Sequence, residues 1–292
     1  MLEIMAKRTA LDRLRSNIDA IDDQIHSLLL RRTDLVTQIG DLKRSRGVDG
    51  FSLRPAREAA IIRRLVARHR GPFPVAALVH LWHELLSGQV MVQTHFNTAV
   101  FEPSTDATYR SIARNQFSAA AKVHTFTSAG QVIHAVSSGN ATVGVLPLPS
   151  NKHQDPWWAT LPSEGEVPPR IIARLPFLKQ KTRAAEYTEA LVVAKVLPEP
   201  SGEDVSLLVV ELNENADISR LDDMLRAAGL VGDKLSTLRG RDQLGHTLYL
   251  LAIEGFVRQG DPPITHFTRS AGDLVTRIAM VGAYAKQLNI SD

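Results

Sequence analysis

Leu11, Leu14, Ile18, Ile21, Ile25, Leu28, Leu35, Ile39 and Leu42 recur at alternating spacings of three and four, and the one break in this seam is Arg32. The pattern predicts a single helix over residues 9–44, about 50 Å long at 1.5 Å per residue. A helix of that length cannot be buried inside one small domain. Gly47 and Gly50 are expected to end it. Pro55 suits the first turn of a second helix running to His69, which Gly71, Pro72, Phe73 and Pro74 close. A third helix is expected from Val75 to His95.

From Ala99 the period changes. Short β-rich runs at Thr98 to Phe101, Val123 to Phe126 and Thr142 to Leu146 alternate with helical patterns at Thr108 to Ala121 and Ala129 to Ser137. A polar, Pro-rich stretch from Pro147 to Pro169, containing Trp157 and Trp158, reads as loop. The last part reads as strand Val205 to Leu212, helix Ile218 to Ala228, strand Lys234 to Arg239, strand His246 to Glu254, helix Thr268 to Ile278 and strand Met280 to Tyr284. That order is βαββαβ, a ferredoxin-like layout. The expected class is α+β multidomain: an all-α unit of three helices over 1–96, an α/β region over 97–190 and a βαββαβ domain over 191–292.

Composition narrows the chemistry. With no cysteine, disulfides, thiolate metal sites and cysteine nucleophiles are excluded. The N-terminus lacks the apolar core of a signal peptide and no run of about 18 apolar residues follows, so cytoplasm is expected, without a membrane partner. Residues 1–96 carry 15 Lys and Arg against 10 Asp and Glu, and residues 97–292 carry 19 against 21. The basic surplus lies in the helical part. It comes without aromatic interleaving, zinc-ligand spacing or a helix-turn-helix pattern, so a small anion is expected there and nucleic acid is not.

A guanidinium in an apolar seam calls for an anion. Arg32, with Arg15, Lys43, Arg57 and Gln93 at their separations along three helices, resembles the all-helical class of chorismate mutase, which rearranges chorismate to prephenate. The resemblance implies an intertwined homodimer. It assigns Arg15, entering from the partner chain, and Arg32 to the substrate carboxylates. Arg57 is a further arginine of the site, Glu58 takes the substrate hydroxyl, and Lys43 and Gln93 donate to the ether oxygen. Helical rise agrees with the dimer: Arg15 and Arg32 stand about 25 Å apart along one helix, too far for one small substrate. Such a rearrangement is pericyclic, so no cofactor or metal is expected. Because glutamine is neutral, the Lys43–Gln93 pair predicts a flat pH profile near neutrality. Two positions depart from a common form of the family: Arg54 replaces an aspartate, and Gln89 replaces a serine one turn before Gln93, where its amide can still donate. His80 and His83 have the spacing of helical ligands but no third partner, and read as packing or surface.

The remainder resembles, more loosely, a prephenate dehydratase followed by an ACT-like domain. The likeness lies in Val143 to Pro147, in Thr188 ahead of Leu191, Val192 and Val193, and in the closing Val281 to Tyr284. Where a working dehydratase has Thr-Arg-Phe this chain has Thr188, Glu189 and Ala190. Where it has Pro-Ile-Glu-Asn-Ser, this chain runs from Pro147 through Leu148, Pro149 and Ser150 to Asn151. Motifs tied to phenylalanine control are replaced by Ala216, Asp217 and Ile218 and by Leu238 to Arg241. A carboxylate at 189 would repel a dicarboxylate, and one lobe looks truncated. The expected function is therefore chorismate mutase with an inactive dehydratase part. A bifunctional mutase/dehydratase and an amino-acid-sensing or binding protein are the alternatives.

Overall fold

A computed structural model describes residues 2–46, 53–103, 107–150, 155–162, 168–179, 188–213, 218–240 and 246–289. The expected helix breakers Gly47 and Gly50, and the motif positions Asn151, Ala216, Asp217 and Arg241, lie outside the described residues. The chain divides into two compact units, residues 1–52 with 92–94, and residues 53–91 with 95–292.

The first unit is dominated by α1 (Leu2–Ser45). It begins nine residues before the apolar seam does and ends with Lys43 and Arg44 in its last turn, where cations complement the helix dipole. Thr33 and Thr37 fold their hydroxyls back onto the carbonyls of Leu29 and Thr33, which lets two β-branched polar residues sit mid-helix. The seam itself lies open: Leu14 is 61% and Leu28 63% exposed, and Ile18, Ile21, Ile25, Leu35, Ile39 and Leu42 all exceed half.

In the second unit, α2 (Pro55–Arg68) starts at its proline, and α3 (Val75–Gln93) has the length and apolar content of a membrane span by composition alone. Its His83, Ser87, Gln89 and Val90 are nonetheless buried within the protein. The strands are β1 (Asn97–Phe101), β2 (Lys122–Phe126), β3 (Val143–Pro147), β4 (Arg170–Leu175), β5 (Leu178–Lys179), β6 (Ala190–Ala194), β7 (Asp204–Leu212), β8 (Gly232–Arg239), β9 (Thr247–Glu254), β10 (Val275–Ala285) and β11 (Leu288–Asn289). The helices among them are α4 (Thr108–Phe117), α5 (Ala129–Ser137), α6 (Ile218–Ala227) and α7 (Pro262–Ala271). Nine strands form one sheet in the order β2-β1-β3-β6-β4-β10-β7-β9-β8. β2, β1 and β3 run parallel, with α4 and α5 as crossovers, and β10-β7-β9-β8 is the antiparallel order of a βαββαβ fold.

The sheet departs from the sequence reading in three places. β4 and β6 were not expected, yet both are buried strands linking the two halves of the sheet. The helix expected over Thr268 to Ile278 is α7, displaced toward the N-terminus. Pro262 and Pro263 open it, Gly272 at φ +50 stops it, and the branched Val275, Thr276 and Ile278 go into β10 instead. The stretch expected as loop carries a short 3-10 turn, Trp157–Thr160, that buries both tryptophans in the main core.

The two halves of the sheet meet where β10 pairs in parallel with β4 at Gly282 and Ile171. A Cβ on Gly282 would overlap the Ile171 backbone. Gly282→Ala is therefore expected to cost about 1–3 kcal/mol in urea unfolding of the full chain. Gly130→Ala, on α5 with nothing within 4 Å of an added Cβ, should change stability by no more than about 1 kcal/mol and in the opposite direction.

The sequence sets a boundary at residues 96 and 97, but α2 and α3 share a core with the later segments. Ala59, Ile62 and Val79 pack with Phe177 and Leu178. The Arg63 guanidinium donates to the carbonyls of Glu203 and Lys286 and to the Ser201 hydroxyl, at 2.9, 2.8 and 3.0 Å. Ser87 donates to the Gln116 carbonyl.

Candidate active site

Arg32, Val36, Gly40 and Lys43 follow one another at helical spacings of four, four and three, so they stand on one face of α1. Against that face lies Gln93, in the same unit. Its amide nitrogen donates to the Val36 carbonyl at 2.5 Å, and a Cβ on Gly40 would stand 3.6 Å from it. Glycine at 40 thus leaves room for the amide, and any side chain longer than a methyl would displace it. The result is a neutral amide set between two half-buried cations, Arg32 and Lys43. Such a surface can grip a carboxylate through the guanidinium fork and offer donors to an oxygen that gains negative charge.

Arg15 lies elsewhere on α1, exposed, with Asp12 at 3.4 Å. An exposed pair of that kind holds an arginine only weakly, which leaves its guanidinium available to another ligand.

The remaining predicted residues lie in the second unit. Arg57 is exposed on α2. Arg54, the replacement for an aspartate, makes a two-pronged pair with Glu199 at 2.9 and 3.0 Å. Gln89 is buried, and its amide nitrogen has no hydrogen-bond partner among the described residues. A buried donor left in this state is ready for an acceptor. Glu58 is also buried, and with His83, Gln116, Arg174 and Phe177 it lines a small hollow. Burial raises its carboxyl from 4.5 to about 7. His83 is buried too, its Nδ1 accepting from the Gln116 amide nitrogen at 3.1 Å. Burial, with His80 adding like charge, lowers its imidazole to about 4. The expectation of a packed His83 fits this position, and the sequence offered no sign of Gln116 as its partner.

These two groups oppose each other in acid and base. Glu58 is easier to protonate in the folded chain than in the unfolded one, so its contribution is full below about pH 4.5 and is lost as pH rises through about 7. His83 contributes above pH 6.5 and loses its contribution as pH falls through about 4. Glu58→Gln removes only the first. Relative to the parent it should gain roughly 2–3 kcal/mol on going from pH 5 to pH 8, measured by urea unfolding at both.

Glu189 occupies a place the sequence reading gave to repulsion of a dicarboxylate. In the structure its carboxylate accepts from Arg174 Nε and Nη2 at 3.2 and 2.8 Å, with Lys179 at 3.9 Å. Burial works against the ionised form, but the Arg174 hydrogen bonds and charge outweigh it and hold the carboxyl below its usual range. Arg174 also reaches the Tyr284 hydroxyl at 3.4 Å. Glu189 thereby consumes the charge of a half-buried arginine.

Residues 14–94 match the family Chorismate mutase type II. A bifunctional chorismate mutase/prephenate dehydratase from Aquifex aeolicus (strain VF5) is 28% identical over 142 residues, 47% of this chain and 38% of that protein. One from Stutzerimonas stutzeri is 21% identical over 261 residues, 84% of this chain and 70% of that protein. The X-ray structure of prephenate dehydratase from Streptococcus mutans aligns with a TM-score of 0.48 at 15% identity, over 67% of this chain and 100% of that one. The chain spans well under two thirds of the Aquifex protein's length. With Arg32 and Lys43 on one face of α1 and Gln93 of α3 against it, the matched residues 14–94 are a chorismate mutase type II domain.

Proposed function

We propose that the chain is a chorismate mutase, converting chorismate to prephenate by rearrangement within a cage of cations and amides. The observation that carries this reading is the Gln93 amide seated on the α1 face that holds Arg32 and Lys43, in a segment matching the mutase family. Arg32 grips one carboxylate and Arg15 of a second chain the other. Lys43 and Gln93 donate to the ether oxygen as its bond to carbon breaks. By resemblance, Arg57 adds a further cation, and Glu58 and Gln89 serve the hydroxyl and the carboxylates. Holding the substrate in a bent conformer turns lost freedom into rate, and donors aimed at the ether oxygen favour the transition state over the ground state. The open seam of α1 supports a homodimer, because an apolar stripe of that length in water needs a cover and the matching stripe of a second copy provides one. Cytoplasm is the proposed compartment.

The dehydratase-like part, residues 97–190, is proposed to be inactive, and residues 191–292 to form an ACT-like domain. The Glu189–Arg174 pair supports the first point, since it places a carboxylate and a neutralised arginine where the resemblance calls for a free cation. Mass spectrometry of chorismate incubated with purified protein tests both activities. Prephenate should accumulate, and phenylpyruvate should not form above the spontaneous rate. Unchanged chorismate would remove the mutase reading, and rapid phenylpyruvate would favour the bifunctional alternative.

A further inference from the structure

Two hollows in the second unit share His83, Gln116 and Phe177 as walls. The outer one, with a cavity volume of ≈ 230 Å³, opens between α3, α4 and the turn before β5, and its mouth carries His80, Ile112 and Asn115. The inner one ends at Glu58 and Arg174. The walls they share are aromatic: the His83 ring stands edge-on to Phe177 at 6.4 Å, and Arg63 lies over the same ring at 5.7 Å. At the inner end the Arg174 charge is already taken by Glu189 through two hydrogen bonds. No hydrogen bond to the Glu58 carboxyl is made by any described residue, although the residue is only 8% exposed. A buried carboxylate without a partner is costly, and a cation is what relieves it.

We infer that this double hollow is a binding site for a small primary amine with an aromatic or apolar body, its ammonium reaching Glu58 and its body lying along Phe177 and His83. The outer volume lies below the roughly 300–1,000 Å³ of drug-sized pockets, and the inner hollow, at ≈ 20 Å³, has room for little more than the ammonium, which limits the occupant to a small molecule. The groups facing Glu58 are His83 from α3, Gln116 from α4 and Arg174 from β4. His83 stays neutral through pH 6–8 and Arg174 stays charged and paired, so the amine's affinity in that range follows the ionisation of Glu58.

Isothermal titration calorimetry of the full chain with 2-phenylethylamine, 2-phenylethanol and phenylacetate at pH 6 and 8 reads this directly. The amine should bind best and tighten roughly tenfold between pH 6 and 8. Glu58→Gln should erase both the preference for the amine and its pH dependence while leaving weak binding of the alcohol. Because the mutase reading also assigns Glu58 to the chorismate hydroxyl, Ile112→Trp and Asn115→Trp provide the separation. Each fills the mouth, should abolish amine binding and should leave prephenate formation unchanged. The proposal falls if phenylacetate binds as tightly as the amine, if none of the three gives a binding heat, or if the mouth-filled chains and the Glu58→Gln chain bind the amine like the parent. The binding heats are all read without chorismate, so a chain inactive as a mutase can still pass or fail them.

Discussion

Lys43→Ala should lower the rate of chorismate rearrangement by about two to three powers of ten, with most of the loss in kcat. In the ground state the ether oxygen is a weak acceptor, and it becomes a strong one only as its bond to carbon breaks. A donor aimed there therefore acts mainly on the transition state. Lys43 lies in the last turn of α1 and is half-exposed, so far-ultraviolet circular dichroism should be unchanged. Gln93→Glu separates donation from mere polarity. A carboxylate beside the Val36 carbonyl repels it and cannot donate, and only its protonated form can replace the amide, so that variant should recover rate as the medium becomes more acidic. The parent pair carries no such dependence. A slope between pH 6 and 8 in the parent that disappears in Glu58→Gln would belong to Glu58, raised to about 7 by burial. Loss of less than tenfold in Lys43→Ala would take the developing oxyanion away from this residue.

Much of this site could be seen in the residues alone because helical spacing converts directly into placement. Arg32 and Lys43 are eleven apart on a helix with no interior proline, which puts them on the same face before any coordinate is known. What spacing could not show was the seat of Gln93: its contact with Val36 joins residues 57 positions apart, and only tertiary packing decides that. The same limit explains β4 and β6. Each is a short apolar run, Ile171 with Ile172 and Leu191 to Val193, whose strand character comes from partners distant in sequence. Glu189 is the sharpest instance. As a letter it is a charge reversal facing a ligand, whereas in space it is the counter-ion of Arg174, a residue no motif had marked. Glu58 shows the converse. Its position three residues after Pro55 fits a first-turn carboxylate, yet its burial and the hollow beside it depend on β4 and α4, neither of which its local sequence encodes.

Mixing an Arg15→Ala chain with an Arg57→Ala chain should restore activity that neither has alone, to about one quarter of the parent when the subunits exchange at random. The prediction follows from distance. On one α1, Arg15 and Arg32 are about 25 Å apart, and Arg15 lies exposed beside Asp12. On the proposed reading, each pocket of a homodimer built on the α1 seam would take its Arg15 from one subunit and its Arg57 from the other. A mixed dimer therefore has one pocket with both lesions and one with none, and half of the dimers in a random mixture are mixed. Ile25→Asp provides the control, since a charge in the middle of the seam, where Ile25 is 51% exposed in the single chain, opposes association without touching the cage. That variant should sediment as a monomer and lose activity even with every site arginine present, and its chain should fail to complement either arginine variant. Mixed samples that exchange subunits and stay inactive would mean that Arg15 serves no partner pocket, and the long helix would then need another reason for its uncovered seam.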